Sequence, residues 1–208
     1  LLVASPARAS GIASGSFNAP GERSHNIGVG WPGVHYMWEG LVKDKVALGP
    51  RINIRIWPFV ADVGLHMRFK LLSEGKTSLA LLVYPNVGFA GFGGARADYP
   101  LIRLFSSRAF DGSVGVGANL GLLASFRAAQ KWHVLAAFEN PVVAWIFPRT
   151  GGWFLEWPLS FTAGAQFDVN FRTSIWARVG GGPALLFTGP ALAIGGHGSF
   201  TLGAQFRY

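Results

Sequence analysis

The sequence predicts an all-β chain: an antiparallel, up-and-down transmembrane β-barrel of eight strands, with ten strands as the alternative. Three observations carry that expectation. From Lys45 onward, apolar and polar residues alternate one for one through most of the chain, and successive side chains of a strand point to opposite faces. The alternating segments are long, with 153–170 well beyond ordinary length; strands average about 5–6 residues, and a tilted strand needs about 9–11 to cross a bilayer. The apolar face of the regular segments carries no charge, while the opposite face mixes Gly, Ser, Thr, Asn, Gln and charged residues. A soluble barrel would do the reverse, with charges toward water and large apolar groups inside.

Composition narrows the class. The 208 residues suit one domain, and 50% hydrophobic with 13% charged residues is too apolar for disorder. No run approaches the roughly 18 apolar residues of a membrane-spanning helix. The chain has no Cys, which excludes disulfides, thiolate chemistry, Cys-type zinc sites and a Cys-linked lipid anchor. The net charge of +8 would suit nucleic acid if the basic residues clustered, but they recur singly. Residues 1–9 read as the tail of a signal peptide, with Ala7-Arg8-Ala9 in the small-x-small form of a cleavage site.

Residues 10–44 read as a lead-in to a barrel over 45–208. Within the lead-in, Ile27, Val29 and Trp31 alternate with Asn26, Gly28 and Gly30. Trp31-Pro32-Gly33 then breaks the phase, and Val34, Tyr36 and Trp38 resume it on even numbers. The stretch 25–38 is an extra hairpin, one bulged strand, or a segment folded inside or below the barrel. Eight regular segments follow, at about 45–57, 62–71, 78–92, 113–127, 132–146, 153–170, 173–187 and the C-terminal ten residues. Short connections at 73–77, 128–131 and 171–172 alternate with longer ones at 93–110 and 188–196, and an even count puts both barrel ends on one side. Large aromatics on the apolar face gather near segment ends, among them Phe69, Phe126, Trp132, Trp153 and Phe206, as two interfacial aromatic girdles would require.

The last strand carries the most specific motif. Thr201, Gly203, Phe206 and Tyr208 supply a polar residue, Gly, and two aromatics one residue apart at the terminus. This resembles the assembly signal of bacterial outer-membrane β-barrels, and the whole pattern resembles small barrels of the OmpA, OmpX and OmpW kind. The resemblance implies a Gram-negative outer-membrane location reached through the periplasm. It also implies contact with outer-membrane lipid and lipopolysaccharide, and insertion by the barrel assembly machinery.

The chemistry is sparse. Arg51, Arg55, Asp62, Arg68, Lys70, Arg127, Glu156, Asp168, Arg178 and Arg207 fall on the inward face, with Lys45 and Glu139 reading the same way. An eight-stranded barrel is only wide enough for side chains to fill it, and charges buried there must pair. The expectation is therefore an ion-pair network filling the lumen of a non-enzymatic protein that is structural or binds through its outer loops. The basic excess keeps a narrow, porin-like, anion-favouring pore as the alternative. His197-Gly198-Ser199 resembles the His-x-Ser pair of outer-membrane lipid A deacylases, which leaves a lipid-modifying enzyme as a further alternative; no acidic residue follows to orient the His. The five His show no metal-ligand spacing, and the Gly-rich 91–94 lacks the Lys-Ser/Thr of a nucleotide loop. No catalytic residue, metal or cofactor is expected. Heat-modifiable gel migration after detergent extraction separates this expectation from a soluble lipocalin-type barrel: a membrane barrel shifts its apparent mass on boiling, and unchanged migration would favour the soluble fold.

Overall fold

A computed structural model describes residues 21–56, 59–90, 112–146, 148, 151–189 and 191–208. The strand segments are β1 (Arg23–Trp31), β2 (Gly33–Lys43), β3 (Val46–Arg55), β4 (Val60–Glu74), β5 (Thr77–Ala90), β6 (Ser113–Arg127), β7 (Trp132–Ile146), β8 (Trp153–Pro158), β9 (Ser160–Asp168), β10 (Thr173–Thr188) and β11 (Ala191–Arg207). Every neighbouring pair is antiparallel, and β8 and β9 occupy one position between β7 and β10. The eleven segments thus make ten staves. The terminal strand β11 pairs with β1 from Ser24↔Arg207 to Trp31↔Phe200, which closes the sheet.

The expected count of eight strands is overturned. The two additional staves are β1 and β2, which lie in the stretch taken as a lead-in and pair from Arg23↔Gly40 to Val29↔Val34. The break at Trp31-Pro32-Gly33 is the turn between them, because Pro32 has no N–H to give a ladder and outward positions switch from odd to even numbers across it. The long segment 153–170 also differs: it is interrupted at Leu159, next to Pro158, and the Leu159 N–H bonds to the carbonyl of Pro183 at 2.9 Å. The expected outer loop 188–196 is mostly strand, since β10 and β11 stay paired up to Thr188↔Ala191. Gly189, with φ +57°, sits in the turn between them, a conformation that costs glycine little. The other expected outer loop, 93–110, and the signal-peptide stretch 1–9 lie outside the described residues.

Both described ends of the barrel, at Arg23 and Tyr208, share one rim with the connections 44–45, 75–76, 128–131 and 169–172. Short turns mark the periplasmic side of such a barrel. The lumen at that end is packed with the buried side chains of Met37, Leu82, Leu123, Leu135, Arg68 and Asp168. Reaching over β11 and β1, Trp176 on β10 stacks on His35 on β2 with ring centroids 5.4 Å apart. The indole lies flat against the backbone at Gly28 and Gly203, and a Cβ at either glycine would collide with it. Gly203→Val therefore overpacks the lumen and is expected to destabilise by about 1–3 kcal/mol. Urea titration in detergent micelles reads this, and Trp176→Ala in the same background should restore part of the loss; an unchanged midpoint for Gly203→Val would contradict the packing.

Candidate functional site in the barrel lumen

The lumen has two unlike halves. The periplasmic half is held by two networks, one joining β2 to β4 and the other linking β7, β9, β10 and β11. In the first, Arg68 on β4 donates two hydrogen bonds to Glu39 on β2: Nε to Oε2 at 2.6 Å, and Nη2 to Oε1. Both side chains are completely buried, and Nε2 of His66 stands 3.5 Å from the same carboxylate. In the second, Asp168 on β9 accepts from Ser174 at 2.6 Å and Gln166 at 3.1 Å and meets Nε2 of His133 at 3.0 Å. Arg207 on β11 donates to Ser174 at 2.7 Å and lies 3.5 Å from Asp168, tying the terminal strand to β9 and β10. Burial of charge is tolerable only with such pairing.

The other half encloses a cavity of about 730 Å³. Its polar residues form three clusters. Arg51 Nε donates to Asn53 at 3.0 Å, and its guanidinium lies over the Tyr84 ring at 4.8 Å. Asp62 accepts from Asn53 and from the Tyr84 hydroxyl, each at 2.7 Å. Glu139 accepts from Asn119 at 2.6 Å and stands 3.7 Å from Nη1 of Arg178. Glu156 accepts from Trp145 Nε1 at 2.9 Å and stands 3.7 Å from Arg55. Apolar side chains, including Val60, Val143, Trp145 and Leu186, supply much of the remaining wall.

The inward charges read from the sequence thus separate into groups. Arg51, Arg55, Asp62, Glu156 and Arg178 meet at the cavity, together with Glu139. Arg68, Asp168 and Arg207 belong to the periplasmic networks. Lys70 and Arg127 are half-buried and outside both, while Lys45 is an exposed turn residue. Of the terminal motif, Thr201 is buried in the lumen, and Phe206 and Tyr208 are exposed on the outer face, where the Tyr208 hydroxyl accepts from Trp38 Nε1 at 2.9 Å. His35 and Glu39 were not anticipated. Their signal is the odd-numbered run His35, Met37, Glu39 against Tyr36, Trp38 and Gly40, a continuation of the alternation past the Pro32 turn. His197 and Ser199 both line the cavity, and His197 Nδ1 is buried without a hydrogen-bond partner among the described residues. Among the described residues, no group of three or more His, Cys, Asp or Glu could hold a metal ion.

Burial runs opposite to that of a soluble protein. Glu39, Arg68, His66, Gln166 and Gln205 are wholly or almost wholly inaccessible, while Ile27, Val63, Leu65, Val116, Leu122, Ile175 and Leu202 are exposed around the outside. So large an exposed apolar band would aggregate in water, and hydrocarbon outside is what reverses the two sets. The protein is an integral outer-membrane β-barrel.

No protein-family model and no curated protein matches the chain. Among solved structures it is similar to Ail, the attachment invasion locus protein of Yersinia pestis, at 13% identity and TM-score 0.41, over 91% of this chain and 100% of that one. It is also similar to the outer membrane protease OmpT from Escherichia coli, at 8% identity and TM-score 0.42, over 90% of this chain and 93% of that one. A third similar structure is OmpT, an outer membrane protein of Vibrio cholerae, at 12% identity and TM-score 0.40, over 93% and 63% of the two chains.

The Glu39–Arg68 pair yields a stability prediction. Glu39→Ala leaves the Arg68 guanidinium buried without its carboxylate and is expected to cost about 3–5 kcal/mol. Glu39→Ala combined with Arg68→Leu should recover much of that in equilibrium urea unfolding. A single variant as stable as the parent would show that the pair is not what holds this half of the lumen.

Proposed function

We propose that this protein is a non-enzymatic, non-conducting barrel that binds a small molecule in the extracellular half of its lumen. One observation carries the reading: a cavity of about 730 Å³ sits above a periplasmic half filled by fully buried side chains such as Arg68, Met37, Leu82 and Leu123. The cavity volume falls in the range typical of small-molecule sites, about 300–1,000 Å³. Moving an ion through the other half would require breaking the Glu39–Arg68 pair or passing the Met37, Leu82 and Leu123 side chains. That weighs against the pore reading, even though the cavity keeps several cations.

The wider barrel supports binding inside the lumen in preference to a purely structural role. Ten staves enclose more space than side chains alone must fill, and the surplus is gathered on one side instead of being closed by larger residues. Planar-bilayer recording of the purified, reconstituted protein tests the reading. The parent protein is expected to give no steady unitary conductance. A stable open level, with or without anion preference, would replace the binding reading with a channel.

A further inference from the structure

The polar groups of the cavity are unequally satisfied. Each of its three carboxylates has a neutral donor within hydrogen-bond distance: Asn119 on Glu139, Asn53 and Tyr84 on Asp62, and Trp145 on Glu156. The donors fare worse. Among the described residues, Nη1 of Arg51 and Nη1 of Arg178 are buried with no hydrogen-bond partner, and so is Nε2 of His35, a donor or an acceptor according to its tautomer. Arg178 has its carboxylate at 3.7 Å, an electrostatic contact beyond hydrogen-bond length. Arg51 and His35 are themselves less than a tenth exposed, and all three residues line the cavity. They also act on one another electrostatically, with Arg51 and Arg178 both neighbours of His35 and of Glu139. A buried N–H without an acceptor costs more than the bond it would form returns, so the cluster is short of acceptors.

We propose that this cluster is a subsite for a small monoanionic carboxylate with an apolar body, its two oxygens taken by Arg51 and Arg178 with His35 beside them. The inference rests on the cavity-binding reading above and deepens it. A carboxylate fits because it offers two oxygens, which two guanidinium groups can share. No more than one negative charge fits, because Arg51, Arg55 and Arg178 are already matched by Asp62, Glu139 and Glu156 and a dianion would leave the cavity two charges negative. An apolar body fits because the walls beyond the cluster include Val60, Val143, Trp145 and Leu186.

Equilibrium dialysis of the full chain in lipid nanodiscs, with empty nanodiscs subtracted, tests this using benzoate, benzyl alcohol and inorganic phosphate as probes. Benzoate is expected to be retained in preference to both others. Arg51→Gln and Arg178→Gln should each weaken benzoate by about tenfold or more, affect benzyl alcohol far less than benzoate, and keep heat-modifiable migration. Arg51→Lys should restore part of the benzoate affinity. Phosphate bound as tightly as benzoate, or benzoate indifferent to both Gln variants, overturns the inference. Benzyl alcohol retained without benzoate overturns the anion subsite while the cavity reading stands; neither organic probe retained removes both. The comparison of the three probes on the parent protein depends on no variant folding.

Discussion

Closure of the sheet is the constraint from which the other features follow. In hydrocarbon an unpaired strand edge leaves backbone N–H and C=O groups with nothing to bond, so a membrane sheet must return on itself. Here the returning edges are β1 and β11, paired from Ser24↔Arg207 to Trp31↔Phe200. Because the closing strand is β1 and not β3, the circumference contains two more staves than the regular alternation from Lys45 implies. An eight-stranded barrel is about as wide as its own side chains can fill, so each added stave enlarges the space that something must occupy.

The chain fills that space unevenly. Toward the periplasm the inward positions are large and charged, and they are locked across staves by Glu39 with Arg68 and by Asp168 with His133, Ser174 and Arg207. The partners come from different staves, so these networks brace the barrel as well as occupy it. Arg207 in particular joins the closing strand to β9 and β10 from inside, while the ladder to β1 holds its other edge. At the other end the wall is made from smaller or flatter groups: Gly33, Gly88 and Gly195, several valines, and Trp145 lying over Gly115. Among the described residues, the result is a packed lower half beneath a chamber of about 730 Å³.

Which parts of this were legible depends on how local the information is. Face assignment needs only the parity of a strand, and Arg51, Asp62, Arg68, Asp168, Arg178 and Arg207 all lie on the inner side that their parity indicates. The first hairpin was ambiguous because Pro32 turns the chain in a single residue and shifts the parity, so Ile27 and Val29 face outward on odd numbers and Val34 and Trp38 on even ones. The interruption at Leu159 was invisible for the opposite reason: Leu155, Trp157, Leu159 and Phe161 keep one parity straight through it. Glycines misled at 195–196, where Gly195 and Gly196 pair with Ala184 and Pro183 inside a continuous ladder. Ion-pair partners were out of reach altogether. Glu39 and Arg68 are separated by 29 positions and two turns, and their meeting depends on strand tilt and register that no single segment encodes.

The contrast between the two sets of ion pairs bears on what the upper chamber can accept. In the periplasmic half, Glu39 and Arg68 are joined by two direct hydrogen bonds with both groups inaccessible, so a competing ion would have to replace a complete pairing. In the cavity, both the Arg178–Glu139 and Arg55–Glu156 contacts stand at 3.7 Å, and each carboxylate is anchored instead by a neutral Asn or Trp donor. Those neutral anchors hold the carboxylates without using up the guanidinium N–H groups. Loose pairing keeps the chamber near electrical balance, which limits the cost of holding three cations there, and it leaves Nη1 of Arg51 and of Arg178, both cavity-lining residues, without a partner among the described residues. A guest with acceptor oxygens then gains hydrogen bonds without first breaking strong ones, which is the energetic condition for a polar site inside a barrel to bind anything at all.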